Sequence, residues 1–127
     1  MKEYPLVTVL MPCYNAMPYL SEALESIINQ TYTKLEILCI NDGSTDATGV
    51  VLEQYAAQDK RIKVVHNEEN IKLIATLNKG VELANGKYIA RMDGDDISFL
   101  HRIEYCVNKM ENDDSIDLIS PLISNFT

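Results

Sequence analysis

The sequence lacks long apolar runs and contains few cysteines. The N-terminal run in MKEYPLVTVLMP is far too short to span a bilayer and has no secretory cleavage pattern. Cysteines occur at Cys13, Cys39 and Cys106, an odd number in apolar stretches. This pattern indicates reduced, buried thiols of an intracellular protein rather than a disulfide framework. We therefore expect a cytoplasmic chain.

Positive charge is also scarce. Eleven Lys and Arg stand against 19 Asp and Glu, which gives a formal net charge of −8. Such a balance disfavours binding to a nucleic-acid backbone, so we expect no nucleic-acid partner. The length of 127 residues and an apolar fraction of 46% predict a single globular domain over residues 1–127.

Glycine-rich phosphate-binding motifs are missing as well. No G-x-G-x-x-G follows the first predicted strand, and no G-x-x-x-x-G-K-[ST] occurs anywhere. These absences argue against a dinucleotide-binding fold and a P-loop, and the lack of a basic, glycine-rich first loop disfavours a nucleotidyltransferase. A diphosphate bound here would need another source of positive charge. In a chain with so few basic residues, a divalent metal is the simplest such source.

What the sequence does contain is a regular alternation of strand and helix patterns. Apolar, β-branched runs predict strands at 6–12, 35–41, 61–67, 87–93 and 116–121. Helical spacing predicts a first helix at about 18–29, and three further apolar helix faces follow: Val51, Leu52, Tyr55 and Ala56; Ile74, Leu77, Val81 and Ala84; and Leu100, Ile103, Val107 and Met110. Strands separated by helices predict an α/β fold, with a mostly parallel sheet and helices on both faces.

Polar motifs follow four of the predicted strands. They are PCYN, NDGSTD, HNEEN and MDGDD, in chain order. In open parallel sheets, ligands bind beyond the carboxyl ends of the strands. The coincidence of all four motifs with such ends predicts a binding site at this edge.

The last of these motifs brings together Asp93, Asp95 and Asp96 around Gly94. Carboxylates this close raise one another's pKa, so a cation is expected beside them. Magnesium and manganese prefer such oxygen ligands and often bridge them to phosphates. The alternative is an acidic loop with Asp96 or Ser98 as helix N-cap, which is compatible with metal binding. The spacing excludes an EF-hand.

Together, PCYN, NDGSTD and GKYIARMDGDD resemble the nucleotide-binding half of family 2 glycosyltransferases. The resemblance implies a GT-A-type, Rossmann-like fold. It also implies an inverting, metal-dependent enzyme of polysaccharide biosynthesis that uses a nucleotide-diphosphate sugar, first of all a UDP-sugar, with manganese or magnesium. Its acceptor would be a saccharide or a lipid-linked molecule, which would place the chain at the inner face of the membrane. The resemblance covers about the first half of such an enzyme, so a truncated fold is expected, with the catalytic base beyond Thr127.

The resemblance also assigns roles to individual residues. The base and ribose would be lined by Pro12, Tyr14 and Asn15, and Asp42 would accept a hydrogen bond from the base, with Gly43 and Ser44 shaping the turn. Asp93 and Asp95 would form the D-x-D pair, with Asp96 beside them and Asp95 as the first metal ligand. Lys72 stands where the family often has glycine, and Leu77 where it often has arginine. Lys72 is therefore a candidate for the contact that the arginine would make.

Simpler interpretations remain open for several residues. Tyr14 is also interpretable as a packing residue and Asp42 as a turn residue. His66 is predicted in a loop, Arg102 is predicted to be structural, and Cys13 lacks a base that would make it a nucleophile. The competing function is a catalytically incomplete nucleotide-binding or interaction module. Truncation would also favour self-association through apolar residues at the C-terminal edge: Leu118, Ile119, Leu122, Ile123 and Phe126.

Overall fold

The computed structural model describes residues 4–94 and 96–112. In this part, strands and helices alternate as β1 (Val7–Cys13), α1 (Leu20–Ile28), β2 (Leu35–Asn41), α2 (Thr48–Gln58), β3 (Ile62–His66), α3 (Leu73–Leu83), β4 (Tyr88–Arg91) and α4 (Arg102–Asn112). The predicted strand at 116–121 and the apolar residues proposed for self-association lie outside the described residues.

The four strands form one parallel sheet in the order β3-β2-β1-β4. The two central strands, β1 and β2, are buried along their whole length. This burial explains their nearly continuous apolar sequences, because a central parallel strand is covered on both faces. The predicted α/β fold with a mostly parallel sheet is confirmed.

Helices cover the two faces of the sheet unequally. On one face, α1, α2 and α4 pack on alternate residues of the central strands, such as Val9 and Met11, and form the larger core. On the other face, α3 packs through Leu77 on a small cluster of Leu10, Leu38 and Ile40. The larger core holds the sheet in place. On the other face, the loop between β3 and α3 lies at the carboxyl ends of the strands.

The orientation of α3 differs from the sequence prediction. Ile74 and Val81, predicted to face the core, are 75% and 54% exposed, whereas Thr76 and Gly80 are buried. The reason is the close approach at Gly80, where a β-carbon would lie 2.3 Å from Leu10 Cδ1. The helix packs through Gly80 as well as Leu77, and this contact turns Ile74 and Val81 away from the sheet.

The start of α4 also corrects the sequence analysis. The helix begins at Arg102, so neither Asp96 nor Ser98 is its N-cap. Ser98 is instead buried and accepts a hydrogen bond from Arg102 Nη1 at 3.0 Å. In the described part of the chain, no helix is long and apolar enough to cross a membrane.

Candidate functional site

Two adjoining clefts open at the carboxyl ends of the strands. One, of about 330 Å³, contains Asp42 and is called the Asp42 cleft; it is lined by Pro12, Cys13, Tyr14, Asp42, Asn70, Lys72, Leu73 and Thr76. The other, of about 370 Å³, is called the Asp93 cleft; it is lined by Pro12, Tyr14, Asn15, Ala16, Met17, Tyr19, Leu73, Arg91, Asp93 and Gly94. Pro12, Tyr14 and Leu73 line both, so the clefts form one trough. It brings together six predicted site residues: Pro12, Tyr14, Asn15, Asp42, Lys72 and Asp93.

Tyr14 and Asn15 lie in the loop after β1. Tyr14 is 52% exposed and lines both clefts, so its ring is not a packing residue of the core. Asn15 adopts a positive φ of 47°, which asparagine tolerates better than most residues. Its Oδ1 accepts a hydrogen bond from the Thr45 amide at 2.8 Å, and its own amide donates to Ser44 Oγ at 3.0 Å. Asn15 and Ser44 thus join the loops after β1 and β2.

Asp42, directly after β2, is the most firmly positioned acid of the trough. It is 5% exposed, and its Oδ1 accepts hydrogen bonds from Asn67 Nδ2 at 2.9 Å and from the Ile71 amide at 2.8 Å. No described residue donates a hydrogen bond to Oδ2. In the same part of the chain, Arg102 Nε is the only buried side-chain polar atom without a partner, so Oδ2 retains access to the cleft. One oxygen of Asp42 is held by the protein, and the other is left to accept from a ligand.

Gly43 allows the neighbouring loop to pack against this turn. Its φ is +71°, and a β-carbon there would lie 2.5 Å from the Asn70 backbone nitrogen. A larger residue would push the segment that carries Ile71 and Lys72 away from Asp42. The predicted role of Gly43 in shaping the turn therefore has a steric basis. The glycine makes room for the Asn70 backbone rather than for a ligand.

Asn67 was not singled out from the sequence. This residue is buried directly after β3 and donates to both Asp42 Oδ1 and Thr76 Oγ1, the latter at 3.3 Å. Its Oδ1 accepts from Lys79 Nζ at 2.6 Å. The available signal was its place in HNEEN, at the same sheet edge as the other motifs.

The loop after β4 is stabilised by hydrogen bonds within it. Asp93 Oδ1 pairs with Arg91 Nη2 at 3.0 Å, and both side chains are almost half exposed. The Asp93 amide donates to Asp96 Oδ2 at 3.1 Å, and the Asp96 amide donates to the Asp93 carbonyl at 3.1 Å. Arg91 thus supplies one positive charge beside this acidic loop, at the surface. Asp95, predicted to contact the metal first, lies outside the described residues.

Arg102 lies buried near this loop. Its Nη2 donates to the Arg91 carbonyl at 2.9 Å, in addition to the bond from Nη1 to Ser98. Burial lowers the pKa of its guanidinium, and Cys106 and Asp96 oppose that effect. Arg102 has the structural role predicted for it, because it ties the end of β4 to the start of α4.

The chemistry of the loop fits a hard divalent cation. Asp93 and Asp96 each have one carboxylate oxygen engaged by the protein and one without a hydrogen bond from a described residue. Over residues 4–94 and 96–112, no three His, Cys, Asp or Glu residues are grouped closely enough to hold a metal. Magnesium-type sites on phosphates typically use one or two carboxylates and complete their shell with water and the phosphates. The donor set therefore suits metal held jointly with a diphosphate.

Two other residues complete the account of the sequence predictions. Burial raises the pKa of the Cys13 thiol well above its ordinary value, and Cys39 and Asp93 raise it further. A Cys13 thiolate is therefore disfavoured, in agreement with the prediction that it is no nucleophile. His66 is not a loop residue: it ends β3, and its ring bonds Asn41 Nδ2 at 3.0 Å and Glu53 Oε2 at 2.6 Å.

Comparison with solved structures gives the same fold. Staphylococcus aureus TarS 1-349 in complex with UDP has a TM-score of 0.77 and 26% identity, over 84% of this chain and 32% of that one. The mannosyltransferase PcManGT from Pyrobaculum calidifontis, in complex with GDP-Man and Mn²⁺, has a TM-score of 0.70 and 29% identity, over 75% of this chain and 29% of that one.

Sequence comparison identifies the family. An uncharacterized glycosyltransferase of Haemophilus influenzae is 49% identical over 116 residues, which are 91% of this chain and 36% of that protein. The chain therefore spans about a third of the length of this relative. The family model described as glycosyl transferase family 2 matches residues 8–125. The chain belongs to glycosyl transferase family 2.

Proposed function

We propose that residues 1–127 form the nucleotide-sugar-binding domain of a glycosyltransferase. The enzyme transfers a sugar from a nucleotide-diphosphate sugar, with a UDP-sugar as first candidate, to a hydroxyl of a saccharide or lipid-linked acceptor. The observation that carries this proposal is the trough with the free oxygen of Asp42 at one end and Asp93 at the other. TarS with UDP and PcManGT with GDP-Man are similar to this chain and support the choice of ligand class.

At the Asp42 end, we assign the nucleobase. A carboxylate only accepts hydrogen bonds, so Asp42 Oδ2 suits a base whose pairing edge carries a ring N–H. Uracil and guanine have such a ring donor, whereas the corresponding ring nitrogen of cytosine or adenine is an acceptor and their donor at this edge is the exocyclic amino group. The exposed ring of Tyr14 lies where a base can stack on it, an interaction worth about 1–3 kcal/mol. Pro12 and Asn15 complete the walls on the β1 side.

At the Asp93 end, we assign the diphosphate and a divalent metal. Asp93 and Asp96, together with Asp95 between them, would hold manganese or magnesium. When bound, such a cation offsets the charge that develops on the nucleoside diphosphate as it leaves. The inverting course belongs to the same proposal and rests on the family resemblance. We assign no general base within residues 1–127.

The proposal is tested by calorimetric titration of UDP, GDP, CDP and ADP into the full-length protein, with and without manganese. We expect UDP or GDP to bind more tightly than CDP and ADP. Asp42→Asn keeps an acceptor for Asn67 and Ile71 but presents an amide donor to the base. It should therefore weaken UDP binding about tenfold and reduce the ratio of the affinity for UDP to that for CDP.

Glu22→Gln, on the exposed surface of α1, is the matched control and should leave all four affinities unchanged. Equal affinity of the unmodified protein for all four nucleotides would remove the role of Asp42 in base recognition. The absence of any nucleotide binding would contradict the proposed function as a whole.

A further inference from the structure

Lys72, directly before α3, has a backbone conformation that lysine rarely adopts. Its φ is 74° and its ψ is 164°. This region is essentially restricted to glycine, because a β-carbon there clashes with the neighbouring backbone. Strained residues of this kind persist only where the surrounding structure fixes them, and they concentrate at functional sites.

Hydrogen bonds on both sides fix the backbone at this position. The preceding amide, of Ile71, donates to Asp42 Oδ1 at 2.8 Å, and the Lys72 amide donates to Asn70 Oδ1 at 2.9 Å. The Lys72 carbonyl accepts the first helical hydrogen bond from the Thr76 amide at 3.0 Å. Any residue at position 72 must therefore take this conformation, and glycine would take it without strain.

The side chain of Lys72 supplies what glycine lacks. Lys72 lines the Asp42 cleft, and the next residue along the chain, Leu73, lines both clefts. Among the described residues that line the trough, the other cation is Arg91, which is paired with Asp93. Lys72 Nζ makes no hydrogen bond or ion pair with any described residue. It is the uncommitted positive charge of a trough in a chain of net charge −8.

We propose that Lys72 contacts the diphosphate of the bound nucleotide, and that the chain tolerates backbone strain at this position to place a cation there. This inference rests on the proposed function and assigns the phosphate-specific part of binding to one residue. It requires that removal of the side chain stabilise the fold and weaken ligand binding at the same time.

Three variants separate charge from strain. Lys72→Gly removes both, Lys72→Ala removes the charge but keeps the strained β-carbon, and Lys72→Arg keeps both. Each is made in the full-length protein, and binding of uridine and of UDP is measured by calorimetry in EDTA, where no metal masks the charge. Thermal unfolding without ligand gives Tm.

We expect Lys72→Gly to raise Tm by about 2–4 °C and to weaken UDP binding about tenfold. Lys72→Ala should show the same loss of UDP affinity without the rise in Tm, and Lys72→Arg should resemble the unmodified protein in both. Uridine, which has no phosphate, should bind all four proteins within twofold.

Unchanged UDP affinity in Lys72→Ala, or an equal loss for uridine, would overturn the phosphate contact while leaving the proposed function in place. A loss of UDP affinity in Lys72→Gly with no rise in Tm would overturn the assignment of strain. If the unmodified protein binds neither uridine nor UDP, in EDTA and in manganese alike, the proposed function fails, and this inference fails with it.

Discussion

Two buried carboxylates lie at opposite ends of β2, and they differ in how many of their oxygens the protein uses. Glu36, near the start of the strand, is 4% exposed, and Asp42, just after its end, is 5% exposed. Both oxygens of Glu36 accept hydrogen bonds, from Thr8 Oγ1, Lys63 Nζ and both the amide and Nδ2 of Asn85. Asp42 accepts from described residues through one oxygen alone.

The difference separates a structural acid, Glu36, from the acid that we propose binds the base, Asp42. Burial by itself raises the pKa of Glu36, but the hydrogen bonds from Lys63, Thr8 and Asn85 outweigh it and lower that pKa to about 2. Glu36 is thus fixed as a carboxylate and ties the loop before β4 to the sheet. Burial alone therefore does not distinguish these two carboxylates; the oxygen of Asp42 that has no donor among the described residues does.

The largest expected effect is on stability, from Glu36→Gln. The glutamine amide would face Lys63 Nζ and Asn85 Nδ2, both donors, so two hydrogen bonds are lost inside the protein. We expect the free energy of unfolding to fall by ~3 kcal/mol, because each hydrogen bond to a buried charged carboxylate contributes about 1.5–3 kcal/mol. Urea unfolding measures it. Asp42→Asn is the matched control and should lose no more than ~1 kcal/mol, because the asparagine oxygen can still accept from Asn67 and Ile71. Equal losses in the two variants would contradict the distinction between the two acids.

The pH dependence of stability should report the same carboxylate. The pKa of Glu36 is lowered from an ordinary 4.5 to about 2 in the folded chain. Its contribution is therefore fully present above pH 4.5 and is lost as the pH falls towards 2. The gap corresponds to ~3 kcal/mol at most. The difference in the free energy of unfolding between the unmodified protein and Glu36→Gln, measured in urea, should narrow as the pH falls from 7 to 3; parallel curves would contradict this assignment.

Metal removal should distinguish the two ends of the trough. Asp95→Asn should weaken UDP binding about tenfold in manganese and leave it unchanged in EDTA, because its proposed partner is the ion. Asp42→Asn should weaken binding equally in both, because its proposed partner is the base. Calorimetry in the two buffers measures all four values. An identical response of the two variants to EDTA would show that the assigned roles are wrong.

A smaller effect is expected from Asn67→Ala, which removes the side chain that orients Asp42. We expect about a fivefold loss of UDP affinity, because the Ile71 amide still holds the same oxygen. Asn78→Ala, at an exposed position of α3, is the control and should leave affinity unchanged. An unaltered affinity in Asn67→Ala would show that Ile71 is sufficient to position the acid.

Much of this arrangement could be predicted from the sequence. The order of strands and helices follows from periodicity, and the placement of four polar motifs at strand ends predicts the edge where Asp42 and Asp93 lie. Asn67 was missed because its role depends on a contact with Asp42 across 25 residues, which no local pattern encodes. The ion pair between Arg91 and Asp93 was also missed, although the two residues are close in sequence. The alternation of side chains along a strand does not show which charged side chains pair with each other at its end.

The exposed face of α3 was missed for a different reason. Apolar periodicity identifies the stripe that could be buried, and on α3 that stripe contains Ile74 and Val81. The side of the helix that packs on the sheet is decided instead by which residue allows the closest approach. On α3 that residue is Gly80, which lies against Leu10. A pattern of hydrophobicity alone therefore misplaces a helix whose contact residue is a glycine.

The bonds that join the loops have a consequence for how a ligand is received. Backbone amides of Asn15, Thr45 and Ile71 already donate to side chains of other loops, to Ser44, Asn15 and Asp42 respectively. The rim of the trough is thus ordered before any ligand arrives, and binding need not include the entropy of arranging it. These amides should exchange slowly with deuterium in the free protein, and nucleotide should add little to their protection.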